Sequence, residues 1–461
     1  MKVCIKTFLA LGFLALFSCK NSTNSNTATT ADDSTSVDSN KVVSAAPPAW
    51  SLQSNIYEVN LRQYGKNNTF QLFANEFPRL REMGVEILWF MPITPISKVD
   101  RKGTLGSYYA VQNYRTVNPE YGTMDDWKAL VQKAHDAGFK VITDWVPNHS
   151  GADHPWLQSN PEFYVKDSTG KPLAPNGWTD VRKLNYENLS LRDSMVASMK
   201  FWITETGIDG FRCDVAGDVP SDFWKDCIAE LRRTKELFML AEADKIELHT
   251  VGFNATYPWS IENILYGVYS GKTKMSQVDS AIEAQDKQLP ADAMRMYFTT
   301  NHDENSWNAT EFERFGNGAK AFAVWTATMK RSIPLIYSGQ EAGNKKRLQF
   351  FEKDPIQWGN YSFAKFYRAL LTTRTNTPAL AADASFKKVS AGDSSLYAFV
   401  REKNGSKVAV ILNLSPEART VVINDDQLIG EPMNIFLGVK EKLDKGHSFG
   451  IEQWGYVIFK Y

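Results

Sequence analysis

Short apolar runs alternate with helix-length segments over most of the chain, and this alternation restricts the fold more than any other feature. Eight runs are assigned as strands: Ile56–Val59, Ile87–Phe90, Val141–Trp145, Gly210–Asp214, Phe238–Glu242, Ala255–Tyr257, Met296–Thr299 and Leu335–Ser338. Strands separated by helices predict parallel βαβ units in an α/β fold. Eight such units suit a closed (β/α)8 TIM barrel. A doubly wound open sheet is the alternative, but no glycine-rich phosphate-binding loop follows the first run.

The predicted barrel occupies residues 49–379 and includes a short insertion, residues 150–185, after the third strand. From residue 380 to residue 461 the pattern changes to alternating strands, which predict a small, antiparallel, all-β C-terminal domain. Its predicted strands are Leu396–Arg401, Lys407–Asn413, Arg419–Ile423 and Tyr456–Tyr461. Asn404-Gly405, between the first two, is typical of a two-residue hairpin turn.

The first 48 residues have the pattern of an export signal and a linker. Lys2 and Lys6 precede an apolar run, Phe8–Phe17, that is too short to span a bilayer and fits a signal peptide over residues 1–19. Leu16-Phe17-Ser18-Cys19 resembles a bacterial lipobox. This implies lipidation of Cys19 and a lipid-anchored protein of the cell envelope, at the outer membrane on its periplasmic or surface side. An ordinary signal peptide cut nearby is the alternative. Residues 20–48, rich in Asn, Ser, Thr, Ala and Asp, predict a disordered linker.

Charge and cysteine content exclude several classes of function. Lysine plus arginine and aspartate plus glutamate both number 52, so the formal net charge is zero and no basic surplus indicates nucleic acid binding. Cys4 and Cys19 lie in the targeting segment. Cys213 and Cys227 are assigned to a strand and to the following helix, which favours free thiols over a disulfide. No cysteine spacing is typical of a zinc site.

Four of the predicted strands end in polar residues, at the positions where a barrel of this kind carries its chemistry. These ends are Asp144-Trp145-Val146-Pro147-Asn148-His149, Arg212-Cys213-Asp214, Ala241-Glu242 and Asn301-His302-Asp303. Arg212 and Asp214 are two residues apart on one strand, so they share a face, and the guanidinium favours the ionised carboxylate. An ion pair of this kind is common in purely structural settings. It indicates a functional site here because three other predicted strands also end in polar residues. We therefore predict carboxylates and histidines gathered around one mouth of the barrel.

In this order, the four stretches resemble the conserved regions of the alpha-amylase family of glycoside hydrolases, from about Ile56 to Glu341. The resemblance implies a retaining mechanism, in which one carboxyl group attacks the sugar and a second, about 5 Å away, protonates the leaving oxygen. Asp214 matches the family nucleophile, Glu242 the general acid/base and Asp303 a third acid that binds sugar hydroxyls. This chemistry requires no cofactor.

The same resemblance implies residues that bind the substrate. His149 and His302 match histidines that hydrogen-bond the sugar at the cleavage point, and Tyr109 matches an aromatic residue that stacks on it. Arg212 would hold the nucleophile charged. Trp145, Trp178, Tyr257 and Trp259 are further candidates for sugar contacts, with core packing as the alternative.

The resemblance also points to a residue that could bind a metal ion. Asn148 matches a residue that ligates structural calcium in many family members, whereas Asp218 stands where many of them have a histidine that completes that site. Calcium prefers several oxygen ligands, and a full set cannot be assembled from the sequence. A structural calcium ion bound by Asn148 is therefore an open expectation from the resemblance.

The resemblance implies hydrolysis of alpha-1,4-glucosidic bonds in starch-like glucans or maltooligosaccharides. The stretch from His149 to the predicted helix at Leu191 is short, which predicts an open cleft suited to internal cleavage of long chains. The run Asp214–Pro220 instead resembles the neopullulanase and cyclomaltodextrinase branch, so that activity and transglycosylation are alternatives. A non-catalytic glucan-binding lipoprotein is an alternative of another class, although binding alone does not need all three carboxylates.

Overall fold

The computed structural model describes residues 46–461, so the predicted signal peptide, Cys19 and nearly all of the predicted linker lie outside the described residues. Among the described helices, none is long and apolar enough to cross a membrane.

The strands of this part of the chain are β1 (Ile56–Val59), β2 (Ile87–Phe90), β3 (Lys140–Trp145), β4 (His149–Gly151), β5 (Val181–Lys183), β6 (Gly210–Cys213), β7 (Phe238–Ala241), β8 (Ala255–Thr256), β9 (Met294–Arg295), β10 (Leu335–Tyr337), β11 (Lys387–Lys388), β12 (Leu396–Lys403), β13 (Ser406–Asn413), β14 (Arg419–Val422), β15 (Met433–Asn434), β16 (Val439–Lys440), β17 (Ser448–Ile451) and β18 (Tyr456–Lys460).

Eight of these strands form one parallel sheet, in the order β10-β1-β2-β3-β6-β7-β8-β9. Two backbone hydrogen bonds join the ends of that order, from Ile333 N to Arg295 O at 3.0 Å and from Leu335 N to Tyr297 O at 2.9 Å. The sheet therefore closes on itself, and the predicted (β/α)8 barrel is confirmed. The seventh barrel strand, β9, covers only Met294–Arg295, so the predicted strand Met296–Thr299 was placed wrongly and does not overlap it. The pairing with the two-residue strand β8 is what defines β9 at Met294 and Arg295.

The α-helices of the described residues are α1 (Phe70–Phe73), α2 (Phe77–Met83), α3 (Met124–Asp136), α4 (Trp156–Ser159), α5 (Leu189–Thr206), α6 (Ser221–Arg232), α7 (Glu247–Thr250), α8 (Trp259–Tyr269), α9 (Met275–Asp286), α10 (Glu311–Phe315), α11 (Ala319–Thr328) and α12 (Ala364–Thr375). Thr123 starts α3 through a capping box with Asp126. A 3-10 turn, Ala74–Glu76, separates α1 from α2. Pro78, in the first turn of α2, has no N–H to donate to the carbonyl of Ala74, which explains the break.

Neighbouring residues of a barrel strand face opposite sides of the sheet. In β2, Ile87 and Trp89 belong to the cluster that fills the barrel interior, whereas Leu88 and Phe90 pack outward beneath the helices. The outer layer also holds Cys213 and Cys227, which are buried and unpaired, as expected. This period of two decides which side chains at the strand ends point into the mouth of the barrel.

The other strands lie outside the barrel. After β3, the strands β4 and β5 form an antiparallel pair, with His149 opposite Lys183. The C-terminal region contains a six-stranded sheet, β11-β12-β13-β18-β15-β16, and the pair β14-β17. Asn404 and Gly405 have φ values of 52° and 78° at the predicted turn between β12 and β13, as a type I′ hairpin requires. Buried Arg401 of β12 donates 2.7 Å hydrogen bonds to Thr328 O and Ala381 O, which join this sheet to the barrel helices.

Candidate active site

The barrel interior becomes charged at the carboxyl ends of four strands. The residues concerned are Glu58 of β1, Asp144 of β3, Arg212 of β6 and Glu242, directly after β7. Each stands an even number of residues after an inward-facing residue of its strand, such as Ile56, Ile142 or Leu240, so the period of two turns it inward. The sequence therefore builds a polar layer on top of the apolar filling of the barrel.

A cleft of about 490 Å³ opens above this layer. Its lining comprises Lys102, Ser107, Tyr109, His149, Trp178, Asp180, Val181, Asp214, Val215, Glu242, Asp303, Trp307, Phe350 and Phe351. Five of the predicted catalytic and substrate-binding residues are among them: Tyr109, His149, Asp214, Glu242 and Asp303. The other two, Arg212 and His302, are fully buried behind the lining.

Arg212 connects three carboxylates. Its Nη1 donates to Asp214 Oδ1 at 2.9 Å and to Asp144 Oδ1 at 3.1 Å. Its Nη2 lies 3.0 Å from Glu242 Oε2, at an angle that makes this a charge contact and not a hydrogen bond. Asp214 and Glu242 therefore lie at the same end of the barrel, held by one guanidinium.

Burial and mutual repulsion change the acidity of this cluster. Burial raises the pKa of Asp144 to about 7, against the opposing charge of Arg212. Burial, followed by the charge of Glu242, raises the pKa of Asp214 well above its usual range, although Arg212 acts to lower it. The spacing of Arg212 and Asp214 predicts only that lowering, because the contribution of a neighbouring strand is invisible in the sequence. The pKa of Asp144 therefore lies close to neutral pH, unlike that of an exposed aspartate.

Two residues with unusual backbone geometry lie at the two ends of β6: Gly210 at its start and Val215 shortly after its last residue. At Gly210 an added Cβ would lie 1.9 Å from Phe238 O, so β6 and β7 can approach closely only with glycine there. Val215, directly after Asp214, has a φ of 43°, which is strained for a β-branched residue. Its N–H donates to Glu242 Oε2 at 2.8 Å. The strained turn therefore holds Glu242 beside Asp214.

His302 is held between Glu58 and Tyr109. Its Nδ1 lies 2.5 Å from Glu58 Oε1, and its Nε2 lies 2.7 Å from Tyr109 Oη. Burial lowers the pKa of His302, but the charges of Asp303 and Glu58 outweigh burial and raise it to about 9. The ring is therefore protonated at neutral pH, and both of its nitrogens are donors. Sequence analysis missed Glu58, although a glutamate in the apolar strand Ile-Tyr-Glu-Val is a signal that could have identified it.

Tyr109 and His149 contribute rings to the cleft. The Tyr109 ring is stacked with that of His302, with 5.5 Å between centroids and 22° between planes. Burial and the charge of Lys183 lower the pKa of His149 to about 3, so its ring is neutral. His149 meets Trp178 edge to face, with 5.6 Å between centroids.

The outer part of the cleft is aromatic. Trp307 is 53% exposed and lies in a π-helical segment, Glu304–Asn308, that follows Asp303. Its ring centroid is 5.1 Å from that of Phe350 and 5.7 Å from that of Phe351. Sequence analysis did not identify these three residues, because nothing local distinguishes a cleft aromatic from a core aromatic.

Of the four aromatic candidates from the sequence, Trp178 lines the cleft. Trp145 and Tyr257 are buried in the barrel, and Tyr257 Oη accepts a hydrogen bond from Arg212 Nε at 3.2 Å. Trp259 packs against Tyr257 and Phe298. Core packing therefore accounts for these three.

Asn148 lies between β3 and β4, and its side-chain oxygen accepts a short hydrogen bond from Lys183 Nζ. The oxygen that would bind calcium is thus already engaged by a cation of the chain. Within residues 46–461, no group of three or more His, Cys, Asp or Glu side chains could hold a metal ion.

Comparison with known proteins agrees with this geometry. The family model for the alpha-amylase catalytic domain matches residues 69–379. Alpha-amylase MalA of Haloarcula japonica is 26% identical over 403 residues, which cover 81% of this chain and 57% of MalA. Neopullulanase 2 of Thermoactinomyces vulgaris is 26% identical over 386 residues, which cover 76% of this chain and 63% of that protein. The chain therefore spans about three fifths of the length of these two relatives.

The fold has close counterparts among solved structures. The crystal structure of an alpha-amylase from Lactobacillus plantarum matches with a TM-score of 0.80 and 27% sequence identity, covering 89% of this chain and 99% of that one. The family model spans well over half of the chain and includes every predicted catalytic residue. The chain therefore belongs to the alpha-amylase family of glycoside hydrolases.

Proposed function

We propose that this enzyme hydrolyses alpha-1,4-glucosidic bonds within starch-like glucans or maltooligosaccharides and retains the configuration at the anomeric carbon. The observation that carries the proposal is the guanidinium of Arg212, which contacts both Asp214 and Glu242 at one cleft. Two carboxyl groups held in this way can act on the same glycosidic bond, as retaining glycosidases require.

The reaction proceeds in two displacements. Glu242 donates its proton to the glycosidic oxygen while the Asp214 carboxylate attacks the anomeric carbon, so the leaving sugar departs and a glycosyl-aspartate ester forms. Glu242 then takes a proton from water, whose oxygen attacks the same carbon and frees Asp214.

The surrounding residues bind and orient the sugar. Asp303, one-third exposed in the cleft, would accept hydrogen bonds from sugar hydroxyls. Protonated His302 supports it, with 3.4 Å between His302 Nε2 and Asp303 Oδ2. Tyr109 offers an aromatic face at the cleavage point, and Trp307 offers a second face further out. These contacts favour a substrate of several linked sugar rings.

A neopullulanase-like activity is the second candidate. The run Asp214–Pro220 resembles that branch, and neopullulanase 2 is a relative with 26% identity. Transglycosylation would use the same ester with a sugar hydroxyl in place of water.

Product analysis separates these functions. Starch, pullulan and cyclodextrin are incubated with wild-type protein, Glu242→Gln and the exposed control Glu247→Gln, and the products are resolved by chromatography. We expect maltooligosaccharides from starch with wild type and with Glu247→Gln. Panose from pullulan would support the second candidate, and products longer than the substrate would support transglycosylation. If wild type releases no product from any of the three substrates, the enzymatic proposal is contradicted and the alternative of a non-catalytic glucan-binding protein is favoured.

The enzyme is proposed to act in the cell envelope, anchored through a lipid on Cys19. The lipobox-like sequence before Cys19 supports this. Labelling cells with radioactive palmitate should mark the wild-type protein and leave Cys19→Ala unlabelled. Equal labelling of the two proteins, or none of either, would contradict the anchor.

A further inference from the structure

Lys183 places its ammonium group at the junction between the barrel and the β4–β5 pair. Its Nζ donates to Asn148 Oδ1, at the carboxyl end of β3. Its backbone lies opposite His149 in the antiparallel pair, and the next residue, Leu184, donates from its N–H to Asn148 O at 3.1 Å. One cation of the chain therefore joins the strand end that leads into His149 to the strand that supports His149.

A divalent cation does not fit beside this ammonium. Calcium requires six to eight oxygen ligands at about 2.3–2.6 Å, and the Asn148 amide oxygen would be one of them. That oxygen already accepts a hydrogen bond from Lys183, and a second cation on it would be repelled by the first. The described residues also contain no cluster of acidic, histidine or cysteine side chains that could hold a metal ion.

The surroundings of Lys183 suit a monovalent cation. The side chain is half-buried, and Asp218, in the turn after β6, is the acidic residue whose charge attracts it. An ammonium group offers three donors on a stem that is covalently part of the chain. It therefore cannot be removed by dilution or by a chelator.

We propose that the ammonium group of Lys183 takes the place of the structural calcium that many family members hold at this asparagine. Lys183 is thus a positioning residue, which acts on the substrate through Asn148 and His149. The enzyme needs no calcium to keep the β4–β5 pair on the barrel. The structural part of this inference does not depend on the proposed function, whereas the effect on catalysis through His149 rests on it.

The first test is thermal unfolding of the wild-type protein with EDTA and with excess Ca²⁺. We expect the same Tm in both conditions and no change in kcat/KM on the glucan that the enzyme cleaves. A Tm that falls in EDTA and recovers with Ca²⁺ would overturn the inference. This measurement needs no substrate, so an inactive protein would contradict the proposed function and leave this test intact.

Variants of Lys183 test its positioning role. Lys183→Met keeps the length of the stem and removes the charge, and Lys171→Met, an exposed lysine of the same insertion, is the control. We expect Lys183→Met to lower Tm and to lower kcat/KM by about tenfold or more, because a small displacement of a substrate-contacting side chain has that effect. Lys183→Arg should recover most of the loss. Values of Tm and kcat/KM equal to those of wild type in Lys183→Met would overturn the inference.

The variant Lys183→Asp tests whether a metal ion can bind beside Asn148 when the ammonium group is removed. The new carboxylate would stand beside Asn148 and near Asp218. A Tm that rises with Ca²⁺ in Lys183→Asp, but not in wild type or Lys171→Met, supports the replacement. The same rise in wild type would overturn it.

Discussion

Glu58 and His302 form a fully buried charge pair beneath the cleft, with 2.5 Å between Glu58 Oε1 and His302 Nδ1. The contacts continue from His302 Nε2 to Tyr109 Oη, and Tyr109 Oη donates in turn to Asp144 Oδ2 at 3.2 Å. Asp144 accepts from Arg212, which holds Asp214. The residues proposed to bind the sugar and the residues proposed to cleave it are therefore connected by one buried hydrogen-bond network beneath the cleft.

Glu58→Gln is expected to move the alkaline limit of activity to lower pH. Glu58 is one of the charges that raise the pKa of His302 to about 9, so the imidazolium of wild type is lost as the pH rises through that value. Without the Glu58 charge, the loss occurs at a lower pH. The profile of kcat/KM against pH measures the shift. The buried glutamate Glu262, changed to Gln, is the control, and an unchanged alkaline limb in Glu58→Gln would contradict the role of the pair.

Glu242→Gln is expected to lower kcat by about 10²- to 10⁴-fold, the usual contribution of a general acid/base. Steady-state kinetics on soluble starch measure the loss. Glu247→Gln, an exposed change on the same segment, should retain wild-type kcat. A kcat within a few-fold of wild type in Glu242→Gln would exclude Glu242 as the acid.

Trp307→Ala is expected to raise KM for long glucans by about threefold to tenfold, since an aromatic contact contributes about 0.5–1.5 kcal/mol. kcat should change little, because Trp307 lies in the outer part of the cleft and not at the carboxylate pair. Trp307→Phe should retain most of the affinity. The prediction is wrong if Trp307→Ala lowers kcat while KM stays constant.

Glu262→Gln is expected to remove part of the pH dependence of stability. Burial raises the pKa of Glu262 from 4.5 to about 8, and its carboxylate accepts from Phe298 N at 3.1 Å. The unfolded chain ionises this group first, so it makes the folded protein progressively less stable as the pH rises from about 4.5 to about 8. The Tm of wild type should therefore fall more between pH 5 and pH 8 than that of Glu262→Gln. Equal slopes in thermal unfolding would contradict this assignment.

Local pattern was enough to predict the barrel and the three carboxylates of the cleft. Strand-length apolar runs separated by helices predict the βαβ order, and the strand ends locate Asp214 and Glu242. Asp303 also lines the cleft, although it follows the seventh barrel strand, β9, by eight residues. Their proximity could be inferred because the carboxyl ends of all strands of a parallel barrel lie at one mouth.

Contacts between distant segments could not be predicted in the same way. Glu58 and His302 are 244 residues apart in the chain, and Asn148 and Lys183 are 35 apart, yet each pair is in direct contact. The raised pKa of Asp214 likewise depends on burial and on Glu242 from the next strand, while its sequence neighbour Arg212 acts in the opposite direction.

The sequence by itself determined the order of strands and helices in the barrel and the positions of Asp214 and Glu242, because the period of two and the helix-length spacing are local properties of the chain. The tertiary structure decided which charged side chains are in contact beneath the cleft and which aromatic rings are exposed in it. It also decided which cation the side-chain oxygen of Asn148 contacts. These depend on desolvation and on distances across the barrel, which arise only when remote segments are brought together.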